Sequence, residues 1–267
     1  MLSADQLLDA LLERARGVTQ RETIAVTDVF GRVLAAPQTS GVTVPPMDNS
    51  AMDGYAVRVA DIATPGVKLP VSQRILAGTV GVPLAPGSAA RIFTGAPLPP
   101  GADAVVMQEY CGVEGEEVAI HTQPHVGENI RRAGEDVRAG DEVLAAGARL
   151  GAAEMGLAAS VGLATLPVFR KLKVACFFTG DELVTPGETL APGQIYNSNR
   201  YTLAGLVAGL GCELIDLGIV PDTPDATEAA LARAAREADV VITSGGVSVG
   251  EADYVKAAVE KLGRVEM

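Results

Sequence analysis

The chain has no tryptophan, and aromatic residues make up only 4% of it. His121 and His125 are its whole histidine complement, which excludes a histidine-rich metal centre. Both lie in a Pro- and Gly-bearing stretch that reads as ordinary surface. Cysteine is scarce as well: Cys111, Cys176 and Cys212 are widely spaced and form no C-x-x-C pair. That usage fits a reducing compartment with buried or idle thiols. No window approaches ~18 continuous apolar residues, and no charged-then-apolar leader opens the chain. The expectation is therefore a soluble cytoplasmic protein without a membrane span. Basic charge is short too. A net charge of −12 argues against sequence-general nucleic-acid binding, which needs a basic surface. Two common phosphate motifs are also missing. Residues 245–250 lack the G-x-G-x-x-G spacing, and no lysine follows them as a P-loop requires.

What is present describes a packed globular protein. Hydrophobic residues make up 48% of the chain and charged residues 20%, and 267 residues suffice for two compact domains or three small ones. Ser3-Ala4-Asp5-Gln6 reads as a capping box, followed by Leu7, Leu8, Leu11 and Leu12 at helical spacing. From about Asp48 to Arg132 the texture changes to short β-rich runs cut by Gly and Pro, at 54–59, 71–77, 90–94, 104–109 and 118–121. Such spacing predicts a small barrel or sandwich. A helix is expected near 155–161. After Pro167 apolar runs at 172–178, 214–220 and 240–244 alternate with helical patterns at 200–210, 223–237 and 254–262. That alternation predicts a doubly wound, mostly parallel sheet. The expected division is a linker domain (1–47 with 134–170), an inserted β-rich domain (48–133) and an α/β domain (171–267). The last unit breaks off where a fourth strand is due, so the chain reads as C-terminally truncated.

In an open α/β sheet, ligands bind at the carboxyl ends of the strands. Three predicted loops occupy that edge: Thr179-Gly180-Asp181-Glu182, Pro221-Asp222-Thr223, and the glycine-rich stretch from Ser244 through Gly250 to Asp253. Glycines before a helix let backbone N–H groups face an anion, and the helix N-terminus adds a favourable dipole. Carboxylates beside a phosphate repel it unless a divalent cation bridges them, an arrangement that suits Mg²⁺. The residues thus point to a metal-assisted site for a phosphorylated ligand. Equally, Asp222 and Asp253 are placed to cap helices. The densest polar run of the chain, Pro46-Met47-Asp48-Asn49-Ser50-Ala51-Met52-Asp53-Gly54-Tyr55, leaves the same choice between turn chemistry and ligand binding.

That run resembles the signature of the molybdopterin molybdenumtransferases, the family to which gephyrin's enzymatic domain also belongs. The resemblance continues in family order through Phe93-Thr94-Gly95-Ala96-Pro97, Arg131-Arg132-Ala133-Gly134-Glu135-Asp136, Thr179 to Leu183, Gln194-Ile195-Tyr196-Asn197-Ser198-Asn199, and Gly250-Glu251-Ala252-Asp253-Tyr254. It implies catalytic positions at Asp53, Thr94, Asp136, Glu182, Asp222 and Asp253. It implies pterin or nucleotide contacts at Thr179, Gly180, Ser244, Gly245, Gly246, Ser248 and Gly250, with Mg²⁺ on Glu182, Asp222 and Asp253. The implied reaction is insertion of molybdate into adenylylated molybdopterin with release of AMP. The implied assembly is a homodimer with a composite cleft, supplied by a molybdopterin adenylyltransferase. The alternatives are the adenylyltransferase step itself, which the long N-terminal half argues against, and a non-catalytic scaffold, which the intact carboxylate set argues against. The family's downstream Pro-Gly-Lys-Pro and Gly-Leu-Pro-Gly-Asn-Pro segments are not in this sequence, so weak binding or inactivity of the chain as given is the expectation.

Overall fold

The computed structural model describes residues 3–245 and 254–265. Its contacts divide it into two compact units: Ala25–Asp28 with Ala36–Leu166, and Met1–Ile24 with Val29–Ala35 and Pro167–Met267.

The first unit is built on a six-stranded mixed sheet. Its strands are β1 (Gly54–Val57), β2 (Val67–Ile75), β3 (Ala89–Ile92), β4 (Ala104–Met107), β5 (Cys111–Glu114) and β6 (Glu117–Ile120). In space they run β4-β1-β3-β2-β6-β5. All neighbours are antiparallel except β2 and β3, which run parallel. Side chains alternate across a pleated strand, so each strand feeds two apolar clusters. Tyr55, Val57, Ala89, Val106, Val118 and Ile120 pack on one side. Ala56, Ala90, Ile92, Val105 and Ile75 pack on the other. All four residues of β1 are buried, as befits a strand covered on both faces. The sequence pattern located five of these strands but not β5, whose half-exposed Cys-Gly-Val-Glu carries no clean alternation. Helix α1 (Ala4–Arg14), in the other unit, has the expected capping box, and Ser3 Oγ accepts from Gln6 N at 3.2 Å. Helix α2 (Ala152–Ser160) covers the segment expected near 155–161.

The second unit holds the parallel sheet. Strand β7 (Lys173–Thr179) lies between β8 (Glu213–Val220) and β9 (Val240–Ser244), parallel to both. Val174, Cys176 and Phe178 point to one face and meet Val207 and Leu203 of helix α3 (Ser198–Gly209). Phe177 points to the other, against Ala230 and Leu231 of α4 (Pro224–Glu237) and Val255 and Val259 of α5 (Val255–Leu262). Helices therefore cover both faces, as the alternation of elements predicts. Thr223 caps α4, with Pro224 in the first turn. Helix α3 begins two residues earlier than its apolar pattern indicates, because the Asn197 side chain accepts from Arg200 N at 3.1 Å and caps it.

One close approach fixes the six-stranded sheet. A Cβ on Gly54 would lie 1.9 Å from the carbonyl oxygen of Val106 on the neighbouring strand. That obstacle is backbone and cannot rotate away. Gly54→Ala is expected to lower stability by about 1–3 kcal/mol or more, read as a drop in the urea midpoint. An unchanged midpoint would contradict the packing.

Candidate functional site

The chain passes from β7 through α3 to β8 on one side, then through α4 to β9 on the other. The strand order thus switches at the carboxyl end of β7, where open α/β sheets form their ligand crevice. A cavity of about 190 Å³ lies there, lined by Thr179, Glu182, Asn197, Ser198, Asn199, Ser244 and Gly245, with Leu183, Ile195 and Tyr196. Thr179 closes β7 and Ser244 closes β9. Gly245 follows with φ of 104°, and a Cβ there would lie 2.6 Å from the Thr179 carbonyl oxygen. Glycine at this turn is therefore a requirement of close approach. Gly180, also at positive φ, lets the Glu182 carboxylate fold back beside it, 2.6 Å from where a Cβ would stand.

Short hydrogen bonds fix the rest of the rim. Glu182 O accepts from Ile195 N at 2.9 Å, and Asn197 N donates to Val184 O at 3.0 Å. Asn199 Nδ2 donates to Ser244 Oγ at 2.8 Å, tying α3 to the end of β9. Asn197 is only 3% exposed, and its Nδ2 has no protein partner. A buried donor left unmet costs free energy, so this amide is disposed to meet an acceptor supplied by a ligand or water. Asp222, half-buried at the end of β8, is locked to the loop after β7 by a reciprocal pair. Asp222 N donates to Asp181 Oδ1 at 3.2 Å, and Asp181 N donates to Asp222 Oδ2 at 3.3 Å. Asp181, on the predicted loop but outside the expected site set, owes this role to a partner 41 residues away.

Gly246, Ser248, Gly250 and Asp253 lie outside the described residues. Among the described residues no three His, Cys, Asp or Glu side chains converge as a metal site. Among the described residues, Glu182 and Asp222 are the members of the expected carboxylate set that this edge carries.

The other unit gathers a second set of site positions. Asp53 is exposed, and its Oδ1 accepts from both Thr94 N and Thr94 Oγ1 at 2.8 Å. The backbone donor chiefly, then the hydroxyl, hold the Asp53 carboxyl below its ordinary 3.8. Asp48 accepts from Ala133 N at 2.9 Å and from Arg132 Nη1 at 2.6 Å. These donors likewise keep it ionised. Asp136 pairs with Arg131 Nη2 at 2.5 Å. Ser50 does turn chemistry instead: buried, it donates to Met52 O at 2.6 Å and accepts from Met52 N at 3.3 Å. The polar run thus divides, with Ser50 spent on the turn while Asp48 and Asp53 hold loops that carry Arg132 and Thr94.

Comparison with known proteins decides what this arrangement belongs to. Residues 2–162 match the family described as the MoeA N-terminal region (domain I and II), and residues 175–267 match the probable molybdopterin binding domain. The chain belongs to the molybdopterin molybdenumtransferase family. It is 45% identical over 267 residues to a molybdopterin molybdenumtransferase of Haemophilus influenzae, covering 99% of this chain and 66% of that one. It is 46% identical over 238 residues to that of a Nostoc species, covering 87% of this chain and 55% of the relative. A crystal structure of a molybdopterin biosynthesis MoeA protein from Pyrococcus horikoshii superposes with a TM-score of 0.81 at 32% identity, covering 89% of this chain and 65% of that one. The chain thus spans about two thirds or less of the length of these family members. Membership also accounts for the joint presence of a β-rich N-terminal half and a parallel α/β unit.

The Asp53–Thr94 pair yields a titration test. Because Asp53 titrates below its ordinary value, its ionised form is favoured in the fold, and any stability it adds is present above pH 3.8 and lost as pH falls below that. In Thr94→Val the hydroxyl donor disappears but the backbone donor stays. The Asp53 carboxyl, followed by side-chain NMR, is expected to move part of the way back up towards 3.8. No movement would remove the Oγ1 bond from the account.

Proposed function

We propose that the protein inserts molybdenum from molybdate into adenylylated molybdopterin and releases AMP. The observation that carries this reading is the cavity at the switch point of the parallel sheet, with Glu182, Ser244 and Gly245 on its rim and Asp222 fixed on the adjoining loop. Transfer between two anions needs little covalent chemistry from the protein; it needs positioning and charge compensation. Gly245 and the end of β9 present backbone to a ligand, Asn197 Nδ2 offers an uncommitted donor, and Thr179 and Ser244 add hydroxyls. Glu182, Asp222 and Asp253 would hold Mg²⁺, which when bound neutralises charge on the pyrophosphate and the oxyanion.

The proposal extends to assembly. Asp53, Thr94 and Asp136 belong to the other unit, and a homodimer with a composite cleft is the arrangement that would employ both sets. A molybdopterin adenylyltransferase is the expected source of the substrate. The cytoplasmic setting rests on the sparse, widely spaced cysteines. The three-part division at 1–47 with 134–170, 48–133 and 171–267 is carried forward as a proposal, supported by the changes of periodicity and by a six-stranded sheet lying wholly inside 48–133.

Asp222→Asn keeps an acceptor for Asp181 N while removing charge, and Glu182→Gln does the same on the rim. Each is expected to cost ~1–3 kcal/mol, roughly 5- to 150-fold, in Mg²⁺-dependent molybdenum transfer to adenylylated molybdopterin. Thermal melting should move little. Transfer unchanged in both variants would overturn the assignment of the site. Asp253→Asn is expected to behave alike. For assembly, light scattering at micromolar concentration should give twice the chain mass; a monomer alone would overturn the composite cleft.

A further inference from the structure

Beyond the family's site positions, the six-stranded sheet carries a pair of arginines whose placement is unusual for so acidic a chain. Arg74 on β2 and Arg91 on β3 are direct partners in the parallel register, and Tyr55 on β1 is the partner of Arg91. Residues paired across neighbouring strands share a face. Two like charges set directly opposite each other repel, and the usual remedy is a nearby carboxylate. Here there is none. Among the described residues, neither arginine forms an ion pair, although Arg58, Arg131, Arg132, Arg170, Arg200 and Arg233 all do.

The two guanidinium groups are held by aromatic faces instead. The Cζ of Arg74 lies 4.6 Å from the centre of the Phe93 ring, that of Arg91 4.5 Å from the same ring and 5.1 Å from the ring of buried Tyr55. Arg91 spends two donors on neutral acceptors, Gly54 O at 2.9 Å and Gln108 Oε1 at 2.7 Å. Arg74, on the exposed side, makes no hydrogen bond to any described residue. A guanidinium has five N–H donors, so most of the donor capacity of the pair is uncommitted. Aromatic stacking orients a guanidinium without neutralising it, which leaves concentrated positive charge in a planar, preorganised form. Phe93 and Gly54 are the chain neighbours of Thr94 and Asp53, so the pair adjoins that carboxylate–hydroxyl couple.

We propose that Arg74 and Arg91, stacked on Phe93, form a binding site for a tetrahedral oxyanion beside Asp53 and Thr94. Two forked donors match the oxygens of such an anion, in the manner in which arginine recognises phosphate. Molybdate and a phosphate group share this chemistry. The site itself requires only the two guanidinium groups; which oxyanion occupies it rests on the function proposed above.

The test follows the arginine Nε–H resonances of the full chain by NMR during separate titrations with molybdate, inorganic phosphate and pyrophosphate at low ionic strength. Saturable movement of both the Arg74 and Arg91 signals is expected. Movement with molybdate alone assigns the site to the metal oxyanion, and movement with phosphate or pyrophosphate assigns it to a phosphate group. Arg74→Gln should weaken the response at Arg91 roughly tenfold. Arg74→Lys, which keeps charge without the fork, should fall between. Arg74 is exposed, and an unchanged melting temperature would show that these variants fold. No saturable shift with any of the three anions, or an Arg91 response identical in wild type and Arg74→Gln, would overturn the proposal. Glu182→Gln serves as the separating control: lost transfer with intact oxyanion shifts keeps this site apart from the fate of the functional reading.

Discussion

Burial of one strand on both faces is the constraint from which the α/β unit follows. Residues 174 to 180 are all buried, and Phe177 and Phe178 face opposite sides of the sheet. Removing each phenylalanine from water contributes ~1.5–3 kcal/mol. That gain requires helices above and below and a neighbouring strand on each edge. Covering both faces forces the chain to cross first to one side of β7 and then to the other. The crossing creates the switch point, and the switch point creates the cavity. The position of Glu182, Ser244 and Gly245 around it is thus a consequence of where apolar side chains had to go.

Carboxylates in both units are held by backbone N–H groups. Asp53 takes Thr94 N, Asp48 takes Ala133 N, and Asp222 takes Asp181 N. A backbone donor cannot swing away as a lysine can, and at Asp53 and Asp48 it favours the ionised acid. Charges fixed in this way need no rearrangement when a ligand arrives, which is the form of electrostatic preparation that transfer between anions demands. The same bonds stabilise loops, so a site residue and a turn residue are here often one and the same.

Charge is distributed unevenly over this acidic chain. Arg131 and Arg132 sit opposite Asp136 and Asp48, and Arg170 is clamped by Asp239 at 2.6 and 2.7 Å. Arg74 and Arg91 instead lean on rings. Paired arginines set loop geometry, whereas stacked ones keep their field. The difference lies in what stands across the strand, and no property of the arginines themselves records it.

The sequence by itself determined whatever depends on neighbours a few residues away. The Ser3–Gln6 capping box, Thr223 and Pro224 opening a helix, and the apolar runs that became β7, β8 and β9 were all legible, because caps and periodicities are local interactions. The carboxylates of the loops after β7 and β8 were legible as neighbours, since strand–helix alternation brings strand ends to one edge. Tertiary structure alone decided the parallel pairing of β2 with β3, the missed strand β5, the lock between Asp181 and Asp222, and the partners of Asp48 and Asp53. Apart from β5, a hairpin partner of β6 whose half-exposed residues show no alternation, these join residues far apart in the chain, where register is fixed by how two apolar faces close on each other. A one-residue slip would turn Arg74 to the opposite face from Arg91, and nothing within either strand forbids that slip; the packing of the whole sheet does.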